Sequence, residues 1–293
     1  MNGTAKSQML SEASLAASEA PPRVEEAPVS RIMAEVERRF AGVISIGAVF
    51  VVWEVLARWI LPAFDPQVGI LVPAPSLVLV AAFYTAKSGE LFGHIIASTE
   101  RVLLAWGAVC VIAIPLGIAM GWWPRVNRYV NPIVELLRPI PPLAWIPISI
   151  LWFGIGLTQN VFIIMIGAFF PVLLNTIHGV KGIDPVLIRA ALNLGAPPGK
   201  LLRRVVFYGA LPNIFTGVRI ALGVAWMVLV AAELVAAISG LGFMIMDARN
   251  FLRTDIIFMG MIAIGCMGIL MEYILRRVER GVLVWYHGAQ NEG

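Results

Sequence analysis

The chain has 293 residues and a formal net charge of +4; 59% of its residues are hydrophobic and only 14% are charged. A soluble globular domain is about 25% charged, and the deficit here is concentrated in nearly charge-free segments of about twenty residues, the length that crosses a bilayer. The composition therefore excludes a large soluble core and predicts an all-α integral membrane protein. The small basic excess gives no indication of nucleic-acid binding.

The first 40 residues are predicted to form a disordered or loosely ordered cytoplasmic arm. Residues 1–30 are rich in Ala, Ser, Glu and Pro, and they lack the continuous apolar run that a signal peptide needs. The transmembrane domain is expected to cover residues 41–285, followed by a short cytoplasmic tail at 286–293.

Six apolar segments are each long enough to cross a hydrocarbon core of about 30 Å. They cover approximately 43–61, 102–122, 130–152, 159–179, 213–238 and 256–275. Fifteen Lys and Arg residues fall in the arm, the second and fourth connections and the tail, whereas the other connections contain Lys87, Arg249 and Arg253, with Arg101 at the edge of the second span. Because basic residues concentrate in cytoplasmic segments, both termini and the fourth connection are predicted to be cytoplasmic.

A short apolar segment at 71–84 lies between the first two spans. Ser76 follows two prolines and is a candidate helix cap. The segment is too short to cross the membrane and is expected to lie along its outer surface, with a re-entrant segment as the alternative.

The second span contains Gly117 and Gly121, a small-xxx-small spacing that permits close packing of membrane helices.

Four prolines interrupt the third span between positions 139 and 147. Proline lacks an amide donor and disfavours a straight helix, and broken helices at membrane depth are tolerated where protein or a water-filled cavity satisfies the freed carbonyls. This favours a place in the bundle interior beside a translocation pathway, with Arg138 and Trp145 as candidate lining residues. A plain kink that shapes packing is the alternative.

The fifth span contains Arg219, Trp226 and Glu233 on one face, since each step of seven residues returns to within about 20° of the same direction. Arg219 and Glu233 are about 21 Å apart along a helix and cannot pair with each other. Charged residues inside a membrane are costly and often functional. The stripe predicts either a pathway, in which Arg219 attracts an anion or Glu233 holds a cationic amine, or separate pairings with neighbouring helices.

The fourth connection, 181–211, is a basic hairpin of about thirty residues with helical periodicity. It contains five basic residues and a single acid, Asp184. Asp184 followed by Pro185 is a typical helix start, and Gly195 with the prolines after it is expected to end that helix. A second helix is expected from Gly199 to Phe207. A short amphipathic helix of this kind can insert into a groove on a partner protein.

The hairpin also carries a family resemblance. The segment RAALNLG at 189–195 resembles the Glu-Ala-Ala-x3-Gly motif of permease subunits of ATP-binding-cassette (ABC) importers, although Arg189 replaces the usual Glu and Phe207-Tyr208 replaces the expected Leu-Pro. Further segments resemble the nitrate, sulfonate and taurine permeases, and in particular the taurine and alkanesulfonate branch. They are LRPIPPLAWIP at 137–147, LWFGIG at 151–156, NTIHGV at 175–180, GALPNIFTGVRIALG at 209–223 and VAAELV at 230–235.

The resemblance implies a type I importer permease with six transmembrane helices in a bacterial cytoplasmic membrane. It implies a homodimer, two copies of a cytoplasmic ATPase subunit and a periplasmic substrate-binding protein. It further implies that the hairpin couples to the ATPase through Arg189, Ala190, Ala191, Gly195, Arg203 and Arg204. ATP and Mg would be bound by the ATPase.

This chain itself is expected to hold no cofactor and to be no enzyme on its own. Gly195-x3-Gly199-Lys200 imitates a phosphate-binding loop, but the spacing is one residue short and Leu201 replaces the Ser or Thr that would hold magnesium. Cys110 and Cys266 fall inside predicted spans and the three histidines are scattered, so the sequence supports neither a disulfide framework nor a metal site.

The expected function is therefore import of a small sulfonate, with taurine favoured. Nitrate, bicarbonate and aromatic carboxylates are alternative substrates of the same class of importer. An ion-coupled secondary transporter is a remoter alternative, since it would be expected to show paired broken helices and only the third span is interrupted. A membrane enzyme is a further one, but it would need a constellation of His, Cys or carboxylate residues.

Overall fold

The computed structural model describes residues 28–65 and 71–283, with side chains from Phe40 onward. Every regular element in these ranges is helical. The α-helices are α1 (Pro28–Val55), α2 (Leu61–Phe64), α3 (Pro75–Lys87), α4 (Glu90–Trp122), α5 (Pro124–Leu137), α6 (Ile146–Phe153), α7 (Leu157–Lys181), α8 (Pro185–Asn193), α9 (Pro198–Leu201), α10 (Phe207–Val235), α11 (Leu241–Asn250) and α12 (Thr254–Val282). Two π-helical segments, Leu56–Ile60 and Leu202–Val206, and a 3-10 turn at Pro142–Trp145 complete the set.

The chain divides into two compact units between Val55 and Leu56. The first unit contains α1, which begins at Pro28, inside the segment expected to be a loose arm ending at residue 40. Seven of the thirteen residues at 28–40 are Arg, Glu, Ala or Met, which are strong helix formers, and this explains the earlier start. The rest of the arm and the tail at 286–293 lie outside the described residues.

The described helices include five that are long and apolar enough to cross a membrane, and a bent pair that brings the number to six. The five are Phe40–Phe64, Glu90–Trp122, Leu157–Lys181, Pro198–Val235 and Thr254–Val282, and the pair is Pro124–Leu137 with Pro142–Phe153. The order of the predicted spans is thus confirmed, and their number is six when the bent pair counts as one span. The two helices of the pair meet at 84°, so the predicted interruption of the third span is confirmed as well.

The core of the second unit is built on α4, α7 and α10. A Cβ added to Gly117 of α4 would lie 2.7 Å from the Cβ of Thr176, and one added to Gly121 would lie 2.6 Å from that of Val180. These backbones therefore touch where the small-xxx-small spacing predicts close packing. Because both residue numbers rise together, α4 and α7 run parallel.

The helix α10 runs antiparallel to α7 and also packs backbone against backbone. A Cβ on Gly179 of α7 would lie 2.9 Å from the carbonyl oxygen of Ala210, and a Cβ on Gly217 of α10 would lie 2.9 Å from that of Pro171. The bundle consequently has a hairpin end, with residues 181–206, and an opposite end, with residues 236–240.

The second half of the hairpin differs from the prediction of a separate short helix. From Pro198 to Val235 the chain is one continuous helix of 38 residues, about 57 Å long at 1.5 Å per residue. The π-helical turn Leu202–Val206 joins α9 to α10 without a break. The sequence did not predict this continuity, because Arg203 and Arg204 interrupt the apolar pattern. The predicted fifth span begins only after the last basic residue of the hairpin.

Two other helix starts differ from the predictions. The cap of α3 is Ala74 and not Ser76: Pro75 occupies the first helical position, which its fixed φ suits, and the amide of Leu77 donates to the carbonyl of Ala74 at 2.9 Å. The helix α4 begins at Glu90, twelve residues before the predicted second span.

Candidate functional site

The hairpin helix α8 begins as the sequence predicts. The Oδ1 atom of Asp184 accepts a hydrogen bond of 2.7 Å from the amide of Val186, and Pro185 takes the first helical position. This side chain satisfies one of the amides that lack a partner at a helix start.

Gly195 terminates the same helix, also as predicted. Gly195 has a φ of +73°, its amide donates to the carbonyl of Leu192 at 2.9 Å, and the amide of Ala196 donates to that of Ala191 at 3.0 Å. This is the Schellman pattern, in which the residue after the helix is left-handed. A left-handed conformation costs an L-residue roughly 1–2 kcal/mol, so glycine fits this position best.

The surface of α8 is open and partly apolar. Each residue of this helix is exposed or half-buried, and four large apolar side chains of the hairpin are between 52% and 87% exposed: Val186, Leu187, Leu192 and Leu194. We call these four residues, with the exposed side chains of Arg189, Arg203 and Arg204, the hairpin surface. A cleft of about 440 Å³ lies beside it, lined by Leu187, Arg204, Val205, Tyr208 and Gly209. An exposed apolar patch rimmed by charges is typical of a protein-binding site.

The interrupted third span lines a cavity that opens on the surface of the bundle. The cavity has a volume of about 470 Å³ and an almost wholly apolar lining from α4, α5, α7 and the 3-10 turn, to which Trp145 contributes. The indole N–H of Trp145 is buried and has no hydrogen-bond partner among the described residues. Arg138, by contrast, is exposed at the end of α5. The structure therefore places one of the two candidate residues of this span at a cavity wall.

Two residues of the fifth-span stripe contact the last helix. Arg219 forms an ion pair with Glu279 of α12, and the indole N–H of Trp226 lies 3.2 Å from the sulfur of Met271 in the same helix. Trp226 is 6% exposed. Each side chain thus has a partner within the chain, and their assignment to a pathway stays a prediction.

Glu233, the third residue of the stripe, lies in a buried ion pair with α4. Its Oε1 atom is 2.5 Å from Nη1 of Arg101, and the hydroxyl of Ser98 donates to its two carboxylate oxygens at 2.9 and 3.0 Å. Its Oε2 atom also accepts the amide of Gly242 at 2.8 Å. The side chains of Arg101 and Glu233 are 5% and 0% exposed.

The loop after α10 is held by the same α4 side chains. Arg101 donates to the carbonyl and to the hydroxyl of Ser239, both at 2.7 Å. The amide of Leu241 donates to the Ser98 hydroxyl at 2.8 Å, and that of Gly240 donates to Nδ1 of His94 at 3.1 Å. We call His94, Ser98, Arg101 and Glu233, with the backbone at 239–242, the opposite-end cluster.

The sequence analysis missed the α4 members of this cluster. His94, Ser98 and Arg101 lie before the predicted start of the second span at 102, in what reads as a polar connection. One signal was present: Glu233 is an acid inside a span without a basic residue three or four positions away, so it required a partner from another helix.

These features define the class of the protein. A helical bundle with six candidate spans and an exposed basic hairpin between the fourth and fifth is the membrane part of a transporter. Residues 113–284, more than half of the chain, match the family described as binding-protein-dependent transport system inner membrane component, and the chain belongs to this family.

Relatives and a solved structure agree with this assignment. A putative ABC transporter permease protein of Methanocaldococcus jannaschii is 43% identical over 80% of this chain and 88% of the relative. The taurine transport system permease protein TauC of Escherichia coli K12 is 42% identical over 75% and 82%, and the bicarbonate transport system permease protein CmpB of Synechococcus elongatus is 37% identical over 66% and 70%. A chain of the inward-facing MetNI methionine ABC transporter, 20% identical, shares the fold with a TM-score of 0.59 over 67% of this chain and 98% of that chain.

The protein is therefore the multi-pass membrane subunit of an ABC importer, of the nitrate, sulfonate and taurine type of permease. ATP hydrolysis belongs to a separate ATPase chain, and the importer also uses a substrate-binding protein.

Proposed function

We propose that this permease moves a small organic anion or zwitterion, with taurine or another sulfonate favoured, from an external binding protein to the cytoplasm. The similarity to a taurine permease supports this choice of substrate. The hairpin surface supports the proposed mechanism, because its exposed apolar and basic side chains suit it to bind another protein.

The hairpin surface is the docking site for the ATPase. An amphipathic helix with exposed Val186, Leu187 and Leu192 can lie in a hydrophobic groove, and its arginines can pair with acids at the rim. Two ATPase copies, each with ATP and Mg, would serve two copies of this chain. The contacts would come from Arg189, Ala190, Ala191, Gly195, Arg203 and Arg204.

The hairpin end is the cytoplasmic end in this proposal, together with both termini. The distribution of Lys and Arg between the connections supports it. The opposite end, with the Arg101–Glu233 pair, then faces the external side and the binding protein.

Transport follows from the rigidity of the connection between the two ends. When the ATPases close on ATP, their grooves move and carry α8 with them. The helix from Pro198 to Val235 is continuous, so a displacement at the hairpin moves the membrane span directly. The bundle then alternates between an external and a cytoplasmic opening, while the binding protein supplies most of the selectivity.

Bicarbonate is the second candidate substrate, supported by the similarity to a bicarbonate permease. Nitrate and aromatic carboxylates remain further alternatives within the same mechanism.

Purification of the tagged chain from its native membranes, with identification of the bound proteins, tests the importer. We expect a stoichiometric ATPase. The purified complex in proteoliposomes, with its binding protein, should then take up radiolabelled taurine in an ATP-dependent manner and faster than bicarbonate or nitrate. Faster ATP-dependent uptake of bicarbonate or nitrate than of taurine would contradict the proposed substrate.

A further inference from the structure

The opposite-end cluster holds the beginning of α11. The first amides of a helix have no partner within the helix, and they form the positive end of its dipole. Here the amide of Leu241 donates to Ser98 and that of Gly242 donates to Glu233. The carboxylate of the preceding span thus caps the following helix, and α4 supplies the second acceptor.

Arg101 fixes the loop that leads into this helix. Its guanidinium donates to the Ser239 carbonyl, the Ser239 hydroxyl and Glu233. Gly240, with a φ of +111°, passes so close to this group that an added Cβ would overlap the carboxylate of Glu233 and lie 2.5 Å from Nη1 of Arg101. The ion pair, together with Ser98 and His94, therefore determines where residues 239–242 lie against α4.

A buried ion pair is suited to a contact that must open and close. Its partners lose hydration when the pair is buried, and they regain it when water enters, so the pair adds geometric precision with little net stability. An apolar contact of the same size would be lost without compensation. Glu233 also lies two residues before the end of the continuous helix that begins at the hairpin. A displacement of the hairpin is therefore transmitted to the ion pair.

We propose that Arg101 is a positioning residue for transport: with Glu233 it forms a latch that holds the 236–240 loop and the start of α11 against α4, and that releases them when the opposite end opens. This inference rests on the proposed function and on the orientation given there.

The test uses a reporter cysteine in the purified complex, in proteoliposomes. Cys110 and Cys266 are replaced by serine, and Ala236→Cys is introduced in the loop, where Ala236 is 3% exposed. With the latch intact and without ATP, a membrane-impermeant maleimide should label this cysteine slowly. In Glu233→Gln we expect labelling to be roughly tenfold faster, because the neutral side chain no longer holds Arg101 in a buried pair. Equal labelling rates in the two proteins would overturn the latch.

A second variant separates a latch from a purely structural pair. Arg101→Gln with Glu233→Gln leaves no unpaired buried charge, and such double replacements are often tolerated. A structural pair predicts that this variant regains slow labelling and the normal amount of ATP hydrolysed per substrate imported. A latch predicts fast labelling and more ATP per substrate, at an unchanged amount of assembled complex. The first result would overturn the proposal and the second would support it.

The matched control is Glu279→Gln, which breaks the other interhelical ion pair of α10. It should leave the labelling of Ala236→Cys at the wild-type rate, and acceleration by this variant would mean that labelling reports general loosening and would overturn the latch. The labelling comparison needs no ATP and no substrate. The labelling rate therefore tests the latch separately from the uptake experiment, which tests the proposed function.

Discussion

Arg219 of α10 and Glu279 of α12, which are 60 residues apart in the sequence, form an ion pair between two membrane helices. Glu279 supplies the opposite charge that lowers the free-energy cost of an arginine inside a membrane. Because Arg219 has a partner within the chain, variants of this pair can test whether Arg219 also contacts the substrate.

We expect Glu279→Gln to lower the melting temperature of the purified complex, because Arg219 loses its counter-charge in a half-buried site. The double variant Arg219→Gln with Glu279→Gln should recover most of the loss. Uptake should follow stability across the three proteins. A double variant with wild-type stability but no uptake would instead assign Arg219 to the substrate pathway.

Replacement of Gly195 should uncouple transport. In Gly195→Leu the left-handed φ of +73° is strained, and a loss of roughly 1–2 kcal/mol at the end of α8 is expected. The helix should fray and its docking should weaken, with membrane insertion intact. Uptake and ATPase activity, measured at equal amounts of permease, check this.

Gly199→Leu is the matched control for Gly195. Gly199 lies in the same hairpin, its φ is not in the left-handed range, and an added Cβ would meet nothing described within 4 Å. It should keep most of its uptake. Normal uptake by Gly195→Leu would contradict the coupling role of the hairpin.

The close contact of α4 and α7 gives a third prediction. A Cβ in Gly117→Ala would lie 2.7 Å from that of Thr176, and overpacking of this kind typically costs about 1–3 kcal/mol. Thermal unfolding in detergent should therefore begin at a lower temperature. Gly107→Ala on the same helix, where an added Cβ meets nothing described within 4 Å, should be neutral or stabilising. Equal melting temperatures of the two variants would contradict the packing described for the core.

Trp145 gives a fourth prediction. Trp145→Phe keeps an aromatic ring at the cavity wall, but it removes part of the indole together with an N–H that lacks a partner among the described residues. Loss of an unpaired buried donor favours the folded state, whereas the smaller ring loses packing, so the two effects oppose each other and the melting temperature should change little. If the cavity lies on the translocation pathway, the uptake rate should nevertheless fall. Unchanged uptake with unchanged stability would assign the N–H no part in transport.

The sequence was sufficient for the elements that depend on neighbours along the chain. Charge-free length predicted the spans, the prolines after Arg138 predicted the bend, and Asp184 and Gly195 predicted the two ends of α8, because caps and turns are made by local hydrogen bonds.

The features that were missed depend on distant partners. Hydropathy counts Arg101 as a reason to end a span, whereas the folded chain neutralises it with Glu233, 132 residues away. The start of α4 was therefore placed twelve residues too late. The stripe on α10 was recognised, but the helices that its members contact could not be known before the packing of α4 and α12 was seen.

The glycine contacts between α4, α7 and α10 have a mechanical consequence. Where a glycine lets two helix backbones touch, sliding one helix along the other would force a neighbouring side chain against the facing backbone. The halves of these three helices nearest the hairpin are therefore expected to behave as a single stiff block that turns as a whole. Any flexing in the cycle then falls to the opposite ends of these helices, the bent third span and the last helix.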